Sequence, residues 1–304
     1  MKKIRNSIKK ISFIFIIVAM IFSMVACSEI GEQSSTSKSN NGILKVHYIN
    51  VGQGDSILVQ QDNENMLIDA GPNSSSEKLV NYLKQNGIKE IKYLVATHPH
   101  EDHIGGMNKV INNFKVESVY MPKKIANTKT FKNMVEAMKK NNLKAKTPRV
   151  GDKINLGDAK FTILWPNEQE QSNTNNYSIV LKGQYGENTF LFTGDAEQLA
   201  EKSILRNNTD IRAEVLKLGH HGSSTSTSDK FLEKVNPKYA VASCEKGNSY
   251  GHPHREIVKK LKDKNIKLYR TDENGDIVLI SDGKNIKFNV EPGSYNSGSS
   301  SKKK

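Results

Sequence analysis

Seven of the eight histidines in the 304-residue chain fall in three short runs: His98, His100 and His103; His220 and His221; His252 and His254. Histidines scattered over a surface do not cluster in this way. The first run reads Thr97-His98-Pro99-His100-Glu101-Asp102-His103-Ile104-Gly105-Gly106. Three imidazoles and a carboxylate this close together form a nitrogen and oxygen donor set suited to a divalent transition ion. Four such ligands on one short loop do not converge on a single ion without strain. The spacing therefore points to two adjacent ions, His98 and His100 serving one, Asp102 and His103 the other. Two neighbouring dications activate water for attack on an ester. His47, the remaining histidine, lies in a strand pattern and reads as a packing or surface residue.

Such ligands must be held by something rigid. The first run follows an apolar stretch, Ile91 to Thr97, with the pattern of a buried strand, and Gly105 and Gly106 let the backbone turn into a following helix. Asp69 ends the apolar run Met66-Leu67-Ile68, and Asp195 follows Phe190-Leu191-Phe192-Thr193-Gly194. His220 and His221 come after Val215-Leu216-Lys217-Leu218-Gly219, and His252 and His254 stand in a loop before a helical pattern starting near Glu256. Strand and helix patterns alternate through the chain, with hairpins at both ends, which predicts an α/β fold with two mixed sheets.

Composition sets the bounds. Hydrophobic residues are 36% of the chain, charged residues 25%, and the net charge is +13. Residues 28–42 and 291–304 are too polar to bury themselves, and 291–304 is expected to be a disordered basic tail. The remaining core of about 250 residues is long enough for a sizeable interior, which excludes a fibrous or wholly disordered chain. That core keeps 36 basic and 29 acidic residues, an excess compatible with a polyanionic partner or with a merely basic surface. There are two cysteines, Cys27 and Cys244, so no disulfide framework is expected. Cys244 closes the apolar run Tyr239-Ala240-Val241-Ala242-Ser243 and reads as a buried small hydrophobe.

The N-terminus has the form of an export signal. Lys2, Lys3, Arg5, Lys9 and Lys10 precede a 16-residue apolar run, Ile11 to Ala26, shorter than the roughly 20 residues a spanning helix needs. Met24-Val25-Ala26-Cys27 resembles a bacterial lipobox, in which Cys27 becomes the lipid-bearing N-terminus. Residues 1–26 are then a signal peptide, 27–42 a tether and 43–290 the folded domain, anchored to the outer face of the cytoplasmic membrane.

The combination of HxHxDH after a buried strand with Asp69 ending an earlier one resembles the metallo-β-lactamase superfamily. The segments His47-Tyr48-Ile49-Asn50-Val51-Gly52-Gln53-Gly54-Asp55-Ser56, Asn175-Asn176-Tyr177-Ser178, Phe192-Thr193-Gly194-Asp195, Leu218-Gly219-His220-His221-Gly222-Ser223 and Tyr250-Gly251-His252-Pro253-His254 are similar, in the same order, to the hydrolase domain of ComEC competence proteins. The resemblance implies a four-layer αββα sandwich with the metal site at one edge. It implies two divalent ions, zinc or manganese, held by His98, His100, Asp102, His103, Asp195 and His220, with Asp195 bridging. His221 would stand beside them facing substrate, the roles of His220 and His221 being interchangeable. Asp55, Asp69, Asn176 and Ser178 would support the ligands from behind, and Asp102, His221 and His252 would take part in catalysis. Many superfamily members supply a third histidine to the first metal position. This chain has none between His103 and His220, so Asn or Ser oxygens, or water, must fill that place.

The activity implied is hydrolysis of a phosphodiester. Within ComEC proteins the corresponding domain is thought to degrade one DNA strand during uptake, which makes DNA the leading substrate. The superfamily also includes a surface phosphorylcholine esterase, so a cell-wall or choline phosphodiester is the second expectation. A non-catalytic lipoprotein that captures DNA is the alternative of another class. No obligate protein partner is evident. Cys27→Ser is expected to move the protein from the membrane fraction to the soluble fraction, because stable anchoring requires the diacylglycerol that this thiol carries. Membrane retention of that variant at high salt, measured by fractionation and immunoblotting, would refute the lipid anchor.

Overall fold

The computed structural model describes residues 42–167, 171–207 and 209–298. The expected signal peptide, Cys27 and nearly all of the tether lie outside the described residues. Among the described residues no helix is long and apolar enough to cross a membrane.

Two sheets make the frame. In the first, β1 (Leu44–Tyr48), β2 (Ile57–Gln61) and β3 (Glu64–Ile68) form an antiparallel meander. Beyond β3, β4 (Glu90–Val95), β5 (Lys115–Tyr120) and the short β6 (Ala145–Lys146) continue in parallel. Their crossovers carry the helices α1 (Ser76–Gln85), α2 (Glu101–Ile104), α3 (Met107–Asn113) and α4 (Lys129–Lys140). The second sheet repeats this plan. β7 (Lys153–Leu156), β8 (Ala159–Trp165), β9 (Val180–Tyr185) and β10 (Asn188–Phe192) are antiparallel. β11 (Val215–Lys217), β12 (Tyr239–Ala242) and β13 (Lys267–Arg270) then add in parallel, linked by α5 (Gln198–Arg206), α6 (Asp229–Val235) and α7 (Arg255–Asp263). A final helical turn, α8 (Thr271–Asn274), leads into β14 (Ile277–Ser281) and β15 (Ile286–Phe288). These return to the first sheet, where β14 pairs with β1.

Strand periodicity explains the layers. Successive side chains point to opposite faces, so a strand covered on both sides must be apolar at every position. β3 sends Met66 and Ile68 to the core between the sheets and Leu67 to the core under α1, α3 and α4. β10 does the same with Phe190 and Phe192 inward and Leu191 outward, against Ala200, Ile204 and Leu216. Three apolar cores separate four layers, which is the expected αββα sandwich.

Two local expectations are corrected. The helix expected from Gly105 begins at Met107 as α3, and a separate helical turn before Gly105, α2, carries Asp102 and His103. Gly105 and Gly106 lie between them because their backbone passes too close to neighbours for a side chain. A Cβ on Gly105 would stand 2.2 Å from the Asn73 nitrogen, and one on Gly106 2.4 Å from the Ala70 oxygen. The tail also differs. Residues 291–298 are strapped to the fold and not disordered, while 299–304 lie outside the described residues. Tyr295 Oη donates to the Ile266 carbonyl at 2.8 Å, the Gly298 N–H to the Pro253 carbonyl at 2.9 Å, and the buried guanidinium of Arg270 to the Asn296 carbonyl. Composition misses this strap because side-chain donors satisfy its backbone where apolar burial would not.

Candidate metal centre

The histidines and carboxylates meet at one edge of the sandwich, at the C-terminal ends of β3, β4, β10, β11 and β12. Open α/β sheets bind ligands at such strand ends. Asp69, His220 and His221 adopt positive φ values of 59°, 50° and 57°, a conformation that costs energy in non-glycine residues and concentrates at functional sites.

Asp69 is fully buried, and its carboxylate gathers three donors. It accepts the Thr97 N–H at 2.8 Å, the Thr97 hydroxyl at 2.7 Å and His103 Nδ1–H at 2.7 Å. These contacts fix proton positions. Because the Thr97 hydroxyl donates to Asp69, His98 Nδ1, 3.2 Å from that hydroxyl oxygen and from Ser178 Oγ, must carry the proton and donate it. His221 Nδ1 donates to the Ser243 carbonyl at 2.9 Å, with Asp55 Oδ1 at 3.2 Å. All three imidazoles therefore aim Nε2 at the same space, a lone pair on each whenever His103 and His221 are neutral, which is the arrangement that orients metal-ligating histidines.

What they face is negative. His103 Nε2 lies 3.2 Å from Asp195 Oδ1, and His221 Nε2 lies 3.2 Å from Asp102 Oδ2 and 3.6 Å from Asp195 Oδ2. Ligand atoms of Asp102, His103, Asp195 and His221 all fall within 4.8 Å of one another. His98 Nε2 is 3.0 Å from His100 Nδ1 and 3.8 Å from Asp195 Oδ2. Asp195 thus reaches both halves of the centre, as a bridging carboxylate must. His103 Nε2 and Asp195 Oδ1 are buried and make no hydrogen bond. Orphaned polar atoms of this kind are costly unless an ion meets them. The donor set fits two divalent ions, with His98, His100 and Asp195 on one side and Asp102, His103, Asp195 and His221 on the other.

Of the adjacent pair, the geometry puts His221 and not His220 in the four-ligand group. The His221 side chain is 1% exposed. That of His220 is 25% exposed and stands outside that group: its Nε2 is as far from Asp195 Oδ2 as His98 Nε2 is, at 3.8 Å, and its Nδ1 meets Thr225 Oγ1 at 3.1 Å. Opposite placement of neighbouring side chains follows from the left-handed turn at both residues. Ser178 stands behind His98, and Asp55 behind His221. Asn176 does not: its Oδ1 accepts the N–H groups of Glu197 and Ala200 at 3.2 and 3.4 Å, capping α5. His254 is likewise structural, accepting the Ser224 N–H at 2.9 Å. His47 is buried behind α1 and bonded to Tyr82 Oη at 2.9 Å. Burial, helped by Lys45, lowers its pKa to about 4.

Sequence reasoning overlooked Lys217. It is fully buried, and its ammonium lies 2.8 Å from Asp55 Oδ2. A lysine inside the apolar run Val215-Leu216-Lys217-Leu218 was the available signal, since a buried lysine is rare unless paired.

A cavity of about 680 Å³ opens over the centre, lined by His100, Asp102, Asn175, Asp195, His220, His221, His252 and Tyr250 among others. Gln53 Oε1 accepts the Glu245 N–H, so its amide nitrogen donates to His252 Nδ1 at 3.3 Å. His252 consequently carries its proton on Nε2. Burial, with the neighbouring His221, His220 and His254, lowers its pKa to about 3, so it acts as a neutral hydrogen-bond donor and not as an acid at neutral pH.

A profile of the Metallo-beta-lactamase superfamily matches residues 49–245. The chain belongs to the metallo-beta-lactamase superfamily. Within it, ComE operon protein 3 of Bacillus subtilis is 32% identical over 266 residues, covering 82% of this chain and 34% of that protein. Competence protein ComA of Neisseria gonorrhoeae is 32% identical over 226 residues, covering 74% and 30%. The chain is thus ComEC-like and spans about a third of the length of these relatives. Igni18, a metallo hydrolase from Ignicoccus hospitalis, shares the fold with a TM-score of 0.53 at 14% identity, over 77% of this chain and 98% of that one.

Two outcomes are expected of the centre. Burial opposes protonation of His221, yet Asp195, Asp102 and Asp55 raise its pKa to about 10, and Asp195, Asp102 and Asp69 likewise raise His103 well above its usual value. A raised folded-state pKa stabilises below the unfolded value of about 6.5 and is lost as pH climbs through the folded one. The melting temperature of chelator-treated protein should therefore fall from pH 6.5 to 9, while the increment added by metal, which competes with these protons, grows. A metal increment independent of pH would contradict this assignment. Lys217→Met should cost about 3–5 kcal/mol in denaturant unfolding by leaving Asp55 buried and unpaired, and the added change Asp55→Asn should restore part of the loss.

Proposed function

We propose that the chain is a metal-dependent phosphodiesterase acting on DNA outside the cytoplasmic membrane, to which Cys27 lipid tethers it, with a role in DNA uptake. The observation that carries the hydrolytic part is the set of three imidazoles whose Nδ1 protons are fixed from behind and whose Nε2 atoms converge on Asp102 and Asp195. Pure capture of DNA needs no such set. The competence proteins among the relatives favour DNA over other esters.

Bound divalent ions supply Lewis acidity, bringing the pKa of water to about 7 and offsetting charge on a phosphoryl oxygen. The residues do the rest. Asp195 holds the two halves of the centre in register. Asp69, Thr97 and Ser178 keep the imidazoles aimed, so little reorganisation is left for the reaction. His252, held by Gln53 and by Asn248, whose side chain bonds both its N–H and its carbonyl, turns an N–H toward a phosphate oxygen.

One observation favours a second reading. Among the described residues no lysine or arginine lines the cavity, whereas Glu101, Glu245 and the exposed ring of Tyr250 do. That surface suits a small phosphodiester with a cationic substituent such as choline. Attraction of DNA must then come from basic residues outside the cavity.

His103→Ala should abolish hydrolysis of single-stranded DNA, with zinc or manganese supplied, while salt-sensitive DNA affinity is retained. Rate depends on the centre, and polyanion affinity on many screened charges. Parallel gel and filter-binding assays separate the two. Wild-type protein that binds DNA but cleaves no phosphodiester would support a binding lipoprotein, and turnover confined to choline phosphodiesters would support the second reading.

A further inference from the structure

The two metal positions are not equally furnished. Asp102, His103, Asp195 and His221 give the second a full set of four donors. The first has His98 Nε2, His100 Nδ1 and a share of Asp195, and no histidine lies between His103 and His220 to complete it. The block Asn175-Asn176-Tyr177-Ser178 runs beside it, and the structure separates its members. Ser178 Oγ accepts the Asp195 N–H at 3.0 Å and meets His98 at Nδ1, on the side of the ring away from His100. Both oxygen directions of that hydroxyl are used behind the site. Asn176 Oδ1 is spent on capping α5. Asn175 remains.

Asn175 is 6% exposed, lines the cavity together with His100 and Asp195, and its Oδ1 is buried without any hydrogen-bond partner. Its orientation is determined. Glu197 Oε1 lies 3.1 Å from Asn175 Nδ2, and a carboxylate only accepts, so the amide nitrogen must face Glu197. Glu197 is itself held by Asn173 Nδ2 at 2.8 Å on its other oxygen. Rotating the amide by a half-turn would set two oxygens against each other. The free carbonyl oxygen is therefore held away from Glu197, and leaving it bare costs stability unless a cation or water meets it.

We propose that Asn175 Oδ1 is the donor that completes the first metal position beside His98, His100 and Asp195, and that Glu197 is the residue fixing the amide in that orientation. Both positions then have two nitrogen and two oxygen donors. The first carries one carboxylate, the second two. A neutral amide oxygen in place of a charge makes the first position the weaker one, loading and emptying at metal concentrations at which the second stays filled.

The test reads metal and not hydrolysis, so it stands apart from the substrate assignment. Full-length protein is titrated with manganese and with zinc by calorimetry, and manganese occupancy is followed by electron paramagnetic resonance. Wild type should take up two ions with separated affinities. Asn175→Ala should weaken the looser one by about tenfold or more and leave the tighter one in place. Asn175→Asp combined with Glu197→Gln, so that the new carboxylate oxygen meets an amide donor in place of a carboxylate, should tighten the looser one, and Asn175→His should shift it toward zinc. Glu197→Ala should weaken the same position several-fold, whereas a purely structural role would lower the melting temperature and spare the individual affinity. Unchanged affinities in Asn175→Ala, meaning that water occupies the place, would overturn the proposal, as would a single ion in wild type. If Asn175→Ala does not fold, the near-isosteric Asn175→Asp with Glu197→Gln decides alone: no tightening of the looser position refutes it.

Discussion

Buried negative charge is the constraint on which the rest of this edge depends. Asp55, Asp69 and Asp195 are each at most 1% exposed, and Asp102 adjoins them. Among the described residues, Lys217 is the lysine or arginine that contacts them. Carboxylates do not remain ionised in such a place without compensation. Protons on His103 and His221 provide it in the metal-free protein, which is why the acids raise both imidazoles. Dications would provide it otherwise. Metal and proton would thus satisfy the same need, which lets the fold tolerate this concentration of acids.

The sheets supply the rigidity that this balance requires. Asp69 joins β3 to the loop after β4 through Thr97, and Asp195 follows β10 in the other sheet, its N–H bonded to Ser178 before β9. Gly194, at φ +50°, makes that approach feasible: a Cβ there would crowd Thr97 and Ser178 at 3.0 and 3.1 Å. The bracing crosses between the sheets at His98, which meets Ser178, and at His221, which meets Asp55. The strained turn at His220 and His221 is the remaining piece, since it sends one ring inward to the carboxylates and the other toward Thr225.

Much of this was legible in the sequence because ligands must follow strand ends, and strand ends are marked by apolar runs. The HxHxDH run, Asp69 and Asp195 all carry that mark. Distinguishing His221 from His220 was beyond it, because spacing does not reveal a left-handed turn at two adjacent non-glycine residues. Asn176 and Asn175 are equally polar neighbours, and a 3₁₀ turn decides which one caps a helix and which one faces the cavity. Lys217 was hidden by the habit of reading lysine as surface. The 291–298 strap was hidden because its anchors, Arg270 and Glu273, lie some twenty residues earlier.

The lining of the cavity separates catalysis from capture. On the proposed function, a substrate phosphate would meet His252 and the metal positions, and among the described residues no lysine or arginine lines that cavity. Wall cations would bind the ground state and the transition state alike, which lowers KM without raising kcat. Charge placed at the centre instead acts where the phosphoryl group gains negative charge. The excess of basic residues over the whole core, 36 against 29 acidic, remains available for long-range attraction of a polyanion, screened by salt. On that proposal affinity and turnover would rest on different residues, so that a change at one edge of the sandwich would remove the second while sparing the first.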